Sequence, residues 1–154
     1  MTADERATLR RVANYQFGAG AGTALFPGGV DLSVTHTSSG RPRQVLAGGE
    51  RLATYGTDGR FTLGIAGGQR LQAGLESPAY RVVVGDESEP HVREGRNVFA
   101  KFVARADGSI RPRDEVLVEH REGHLLAVGR AELSGAGMDD FGTGMAVQVR
   151  ESVE

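Results

Sequence analysis

Four histidines, at 36, 91, 120 and 124, are the residues of this chain best suited to proton transfer or metal ligation, and only His120 and His124 stand close together. A metal centre needs three or four donors converging on one point. A hairpin is expected to separate this pair, so no metal site is expected. Asp86, Glu87 and Glu89 precede Pro90, which fits the acidic start of a short helix over Pro90 to Arg93 better than a paired-carboxylate catalytic site. Gly18-Ala-Gly-Ala-Gly22 lacks the lysine and hydroxyl of a phosphate-binding loop and follows no obvious strand. Gly67-Gly68 carries still less. Cysteine is absent, which removes disulfides, thiol catalysis, cysteine-ligated zinc and iron–sulfur clusters together. No catalytic residue and no cofactor emerge, and the chain is not expected to be an enzyme.

Positive charge is the remaining chemical resource. Of eighteen basic residues only Lys101 is a lysine, so nearly all of it sits on planar, permanently ionised guanidinium groups suited to paired phosphate contacts. GC-rich codon usage explains the same bias, and the high Gly and Ala content agrees with that explanation. The formal charge is −2 overall, divided into +2 up to Ala79 and −4 beyond it.

The elements that must position these groups follow from pattern. Thr2-Ala-Asp-Glu5 fits a capping box. The helix it starts continues through Leu9, Val12, Ala13 and Gln16 or Phe17, and stops at Gly18 to Gly22. Val30, Leu32 and Val34 alternate with polar residues as a strand with one buried face. Gln44 to Leu46, Arg51 to Tyr55 and Arg60 to Ile65 follow as further short strands of an antiparallel meander, and glycines weaken a helix over Ala66 to Leu75. Beyond a boundary near Glu76-Ser-Pro78, strands are expected at Tyr80 to Val84, Asn97 to Val103, Glu115 to His120, Leu125 to Leu133 and Ala146 to Arg150. A helical turn is expected near Met138 to Phe141. Many short strands with few helices suggest a small, nearly closed barrel. Hydrophobic residues at 39% and charged residues at 25% mark a folded chain. No apolar run approaches the roughly 18 residues of a membrane span, so a soluble, cytoplasmic protein is expected.

Four segments in this order resemble the PUA domain: Gly95-Arg-Asn-Val-Phe-Ala-Lys-Phe-Val103, Ile110-Arg-Pro-Arg-Asp-Glu-Val-Leu-Val118, Leu125-Leu-Ala-Val-Gly-Arg-Ala131, and the ending with Met138, Phe141, Gly144, Ala146-Val147 and Val149-Arg150. Upstream, Tyr15-Gln-Phe-Gly18 and Asp58-Gly-Arg-Phe-Thr-Leu63 resemble the domain that precedes PUA in archaeosine tRNA-guanine transglycosylases and archaeosine synthases. The resemblance implies an α+β protein with a small antiparallel α/β domain over 1–78 and a PUA-type pseudo-barrel of short β-strands over 79–154. It also implies an RNA-binding module that grips tRNA at the acceptor stem and CCA end, alone or beside a separately encoded tRNA-modification enzyme. A non-catalytic subunit devoted to protein contact is the alternative. Arg113 stands where the family carries glycine, and a type I turn with Pro112 at its second position is expected there.

Seven residues are implied as the RNA contact. Gly95 lets backbone amides approach a phosphate or ribose, Arg96 can fork onto phosphate oxygens, and Asn97 can bond a base edge or 2′-hydroxyl. Lys101, Arg150 and Arg130 would extend a basic strip. On a regular strand Phe99 shares a face with Lys101, whereas Phe102 takes the other. Phe99 has two readings, a stacking platform for a terminal base and, more ordinarily, a buried aromatic. In the first half Arg6, Arg10, Arg11, Arg41 and Arg43 can extend a phosphate track.

Overall fold

The computed structural model describes residues 1–140 and 142–154; Phe141, part of the expected helical turn and of the family match, lies outside the described residues. The chain divides into two compact units, Met1–Leu75 and Glu76–Glu154.

The first unit opens with α1 (Ala3–Phe17) and its capping box. Thr2 Oγ1 accepts the Glu5 amide at 3.0 Å, and the Thr2 amide donates to Glu5 Oε1 at 3.3 Å. His36 Nε2 lies 2.6 Å from Glu5 Oε2, and this bond, followed by the Thr2 amide, holds the Glu5 carboxyl below its ordinary range. The glycine-rich segment expected only to end α1 also starts a second helix, α2 (Ala21–Leu25). Its Gly22 amide donates to Asn14 Oδ1 at 2.7 Å, and a methyl group on Gly22 would overlap the Arg10 backbone. These glycines therefore serve close helix packing as well as termination.

A four-stranded antiparallel sheet follows in the order β1 (Leu32–His36), β2 (Pro42–Ala47), β3 (Glu50–Tyr55), β4 (Phe61–Leu63), and α3 (Ile65–Gly74) closes the unit. Val30, expected on the buried face of the first strand, lies outside it and is exposed. α3 forms despite its glycines because Gly67 sits against the Leu52 carbonyl, where any side chain would overlap backbone. The propensity lost to glycine is offset by burial of Leu71. Gln16 ties α1 to β4, donating to the Phe61 carbonyl at 2.9 Å and accepting its amide at 2.7 Å. Phe26 packs edge-on to Phe61, centroids 5.5 Å apart.

The second unit is a six-stranded sheet in the order β6-β10-β9-β8-β5-β7: β5 (Arg81–Val84), β6 (Val98–Phe99), β7 (Val103–Ala106), β8 (Glu115–His120), β9 (Leu125–Ala131) and β10 (Met145–Ser152). β5 and β8 run parallel; the other pairs are antiparallel. The outermost strands, β6 and β7, are consecutive in the chain, so the sheet curls into a nearly closed pseudo-barrel around Val82, Val84, Val116, Val118, Leu126 and Val147. α4 (Glu89–Arg93) and α5 (Gly135–Asp140) complete it.

Two expectations fail here for local reasons. The strand expected over Asn97 to Val103 is interrupted by a 3-10 turn at Ala100–Phe102, where the Ala100 amide donates to the Gly144 carbonyl at 2.9 Å. The turn places both Val98 and Ala100 in the core. Arg113 has φ 77°, so the turn from Arg111 to Asp114 has the type II pattern, not type I. It is held by the Asp114 amide donating to the Arg111 carbonyl at 3.0 Å, and by the Arg113 amide donating to the Ala131 carbonyl at 2.7 Å. Buried Asp114 also accepts the Arg111 amide at 2.8 Å. Together these bonds impose the left-handed conformation that arginine disfavours.

Candidate nucleic-acid interface

α4 ends in the loop that carries Gly95. Gly95 has φ 88°, and its amide donates to the Val92 carbonyl at 2.9 Å while the Arg96 amide donates to the His91 carbonyl at 3.1 Å. These bonds cap the carbonyls at the helix end. Glycine is favoured here for its backbone conformation, and the amides of Gly95 and Arg96 are engaged as a helix cap.

The side chain of Asn97 is partly committed too. Its Oδ1 accepts the Val149 amide at 2.9 Å, and Ser152 Oγ donates to the Arg93 carbonyl at 3.1 Å, so the end of β10 is fastened along the loop. Diverting the Val149 amide coincides with a bulge in the β9–β10 pairing. Val149 faces Gly129 and Glu151 faces Val128, which leaves Arg150 as the extra residue. Arg150 then reaches across to Glu115 on β8, its Nη1 3.0 Å from Oε1 and its Nη2 bonded to Oε2. Glu115 is buried, so Arg150 serves first as its counter-ion.

Arg130 is likewise engaged, donating to Glu132 at 2.8 Å and to Gln148 at 2.9 Å. Arg96 is mostly exposed and lies 3.4 Å from Glu94. Lys101 has no carboxylate partner among the described residues; its ammonium sits over the Phe102 ring, 5.1 Å from the centroid. The basic strip implied by the sequence therefore separates. Arg96 and Lys101 flank the loop, while Arg130 and Arg150 are tied into the sheet.

Arg96, Asn97 and Phe99 come together in the wall of one pocket of about 230 Å³, with His91, Val92 and Phe102 also lining it. Phe99 is 45% exposed and Phe102 37%, so the more ordinary reading of Phe99 as a buried aromatic is not what the fold provides. The 3-10 turn explains this arrangement, since residues three apart eclipse one another at three residues per turn. Phe102, assigned to the opposite face by strand alternation, thus joins Phe99. The signal available beforehand was the spacing Phe-x-x-Phe around the single lysine. In the first unit, Arg10 and Arg6 donate to the Phe26 and Val30 carbonyls at 2.7 and 3.3 Å, and Arg41 bonds the Gly56 carbonyl and lies over Tyr55. Of the five arginines expected to extend a phosphate track, the other two are exposed, Arg43 and Arg11, the latter donating to Thr8 Oγ1 at 3.4 Å.

Glu89 opens α4, bonded to Arg93 at 2.9 Å and to His124 at 3.2 Å. Those bonds, Arg93 first, hold its carboxyl below the ordinary range. No helix among the described residues is long and apolar enough to cross a membrane.

Comparison with known proteins agrees with the architecture. Residues 7–78 match the patch-forming domain C2 of tRNA-guanine transglycosylase, and residues 80–153 match the PUA domain. The tRNA-guanine(15) transglycosylase of Thermococcus kodakarensis is 49% identical over 152 residues, 98% of this chain and 26% of that protein. That of Pyrococcus furiosus is 50% identical over 147 residues, 95% of this chain and 24% of the relative. The chain thus spans about a quarter of the length of these relatives. In fold, a hypothetical protein from Pyrococcus horikoshii OT3 superposes with a TM-score of 0.76 at 22% identity, covering 99% of this chain and 92% of that one. A PUA domain from Aeropyrum pernix K1 superposes with a TM-score of 0.72 at 19% identity, covering 99% and 84%. By sequence across nearly its whole length, this chain belongs to the tRNA-guanine transglycosylase C2 and PUA domain families, joined in tandem.

Proposed function

We propose that this chain is a non-catalytic RNA grip serving tRNA modification, and that its ligand is tRNA held at the unpaired end of the acceptor stem. The observation that carries the proposal is the pair Phe99 and Phe102, two partly exposed aromatic rings that line one pocket with Arg96, while the Lys101 ammonium lies over the Phe102 ring. Unpaired bases stack on such rings without sequence demands, while cations beside them take the phosphates. A duplex interior offers no free base face, which favours a single-stranded terminus. Gly95 shapes the loop, Arg96 and Lys101 take phosphates, and Asn97 offers its side-chain amide. Arg130 and Arg150 play a lesser part, because each is already neutralised by a carboxylate partner. The relatives bear transglycosylase names but are about four times longer than this chain. The reaction is therefore assigned to a polypeptide region or partner enzyme outside it.

Titration of tRNA at two salt concentrations tests this reading. With Arg96 and Lys101 as the two phosphate contacts, affinity should fall about 30-fold for a tenfold rise in salt. Removing the unpaired terminal nucleotides should weaken binding as well. Salt-insensitive binding, or none at low salt, would contradict the proposal.

A further inference from the structure

His120 and His124 face each other across the β8–β9 hairpin, their rings stacked with centroids 4.7 Å apart and planes 13° from parallel. His124 Nε2 is 3.2 Å from Glu89 Oε2, and His120 Nε2 is 3.7 Å from Glu89 Oε1. Asp86, in the loop before α4, brings Oδ1 to 2.5 Å from the same His120 nitrogen. One donor atom from each of Glu89, His120 and His124 falls within 4.8 Å of the others. None of these groups has a part in the RNA contact.

We propose that Glu89, His120 and His124, completed by Asp86, form a binding site for a divalent transition metal, with zinc the best-fitting ion. Two imidazoles and two carboxylates are a ligand set for zinc, whereas magnesium and calcium call for oxygen donors alone. Tetrahedral zinc with bonds of about 2.1 Å separates its ligands by about 3.4 Å. The 3.7 Å separation of His120 Nε2 from Glu89 Oε1 is already close to that spacing.

Two neighbours define how the ion enters. Arg93 occupies Glu89 Oε2 at 2.9 Å, so the metal takes Oε1. The Glu122 amide donates to His120 Nδ1 at 3.1 Å, which makes Nδ1 the acceptor and puts the ring proton on Nε2. Ligation through Nε2 therefore moves that proton to Nδ1 and releases the Glu122 amide to water. Arg121, Glu122 and Gly123 are exposed, so the turn has room for the change. The bound ion would fasten α4, which leads into the Gly95 loop, to the β8–β9 hairpin.

Zinc titrated into the untagged, chelator-treated chain tests the site, with calorimetry for stoichiometry and imidazole nitrogen NMR for location. Expected are one zinc per chain, shifts at His120 and His124, a tautomer change at His120, and unmoved signals from His36 and His91. His124→Ala and Glu89→Gln should each weaken binding by more than about tenfold. Absence of saturable binding by the wild-type chain, or shifts confined to His36 or His91, would overturn the proposal whatever the variants do. RNA titration of the metal-free chain reports separately on the RNA reading.

Discussion

Asn97 Oδ1 accepts the amide of Val149 at 2.9 Å, fastening the Gly95 loop to the last strand and coinciding with the bulge that frees Arg150 to reach Glu115. A residue assigned to RNA on its polarity is thus also a structural staple. Asn97→Ala should leave a strand amide unsatisfied and lower stability by about 1–2 kcal/mol. Asn97→Asp keeps the acceptor, so it should retain more stability while weakening tRNA binding by charge. Urea unfolding and tRNA titration of both variants separate the two roles; equal stability losses would contradict the staple.

Arg113 at φ 77° occupies a conformation that costs a non-glycine residue about 1–2 kcal/mol. Arg113→Gly relieves that strain but adds backbone freedom to the unfolded chain, so a net gain of about 0.5 kcal/mol is expected. Denaturant midpoints measure it. A loss of stability would show that the arginine side chain contributes more than its backbone costs.

The Arg81–Glu119 pair, 3.0 Å apart between β5 and β8, is almost wholly buried. Glu119→Gln removes a buried negative charge beside the guanidinium and should destabilise the second unit by about 3–5 kcal/mol. A double replacement, Arg81→Met with Glu119→Leu, should recover much of that loss. Calorimetric melting checks both.

Glu5 has its carboxyl pKa depressed in the fold, first by His36 and then by the Thr2 amide. The stability it contributes is therefore complete above its unfolded value of 4.5 and fades as pH falls through the lower folded value. Melting curves of wild type and Glu5→Gln should converge as the solution is acidified. Parallel curves across that range would show that the carboxylate charge is not involved.

Local signals were the legible part of this molecule. The Thr2–Glu5 capping box forms as read, and the apolar runs that became β8 and β9 have no competing pattern. What stayed hidden depends on contacts distant in the chain. The 3-10 turn that unites Phe99 and Phe102 is fixed by the Gly144 carbonyl, and Arg113 is forced left-handed by bonds that include the Ala131 carbonyl. Glu89 and Asp86 reach His120 across more than thirty positions of sequence, a convergence that residue spacing does not reveal.

The affinity of Phe99→Ala for tRNA tests the central claim most directly, because a half-exposed ring can be removed without emptying the core. Loss of one stacked base should cost about 1–3 kcal/mol, a weakening of roughly 5- to 150-fold, with little change in melting temperature. Unaltered affinity in a folded variant would show that RNA, if held at all, is held elsewhere.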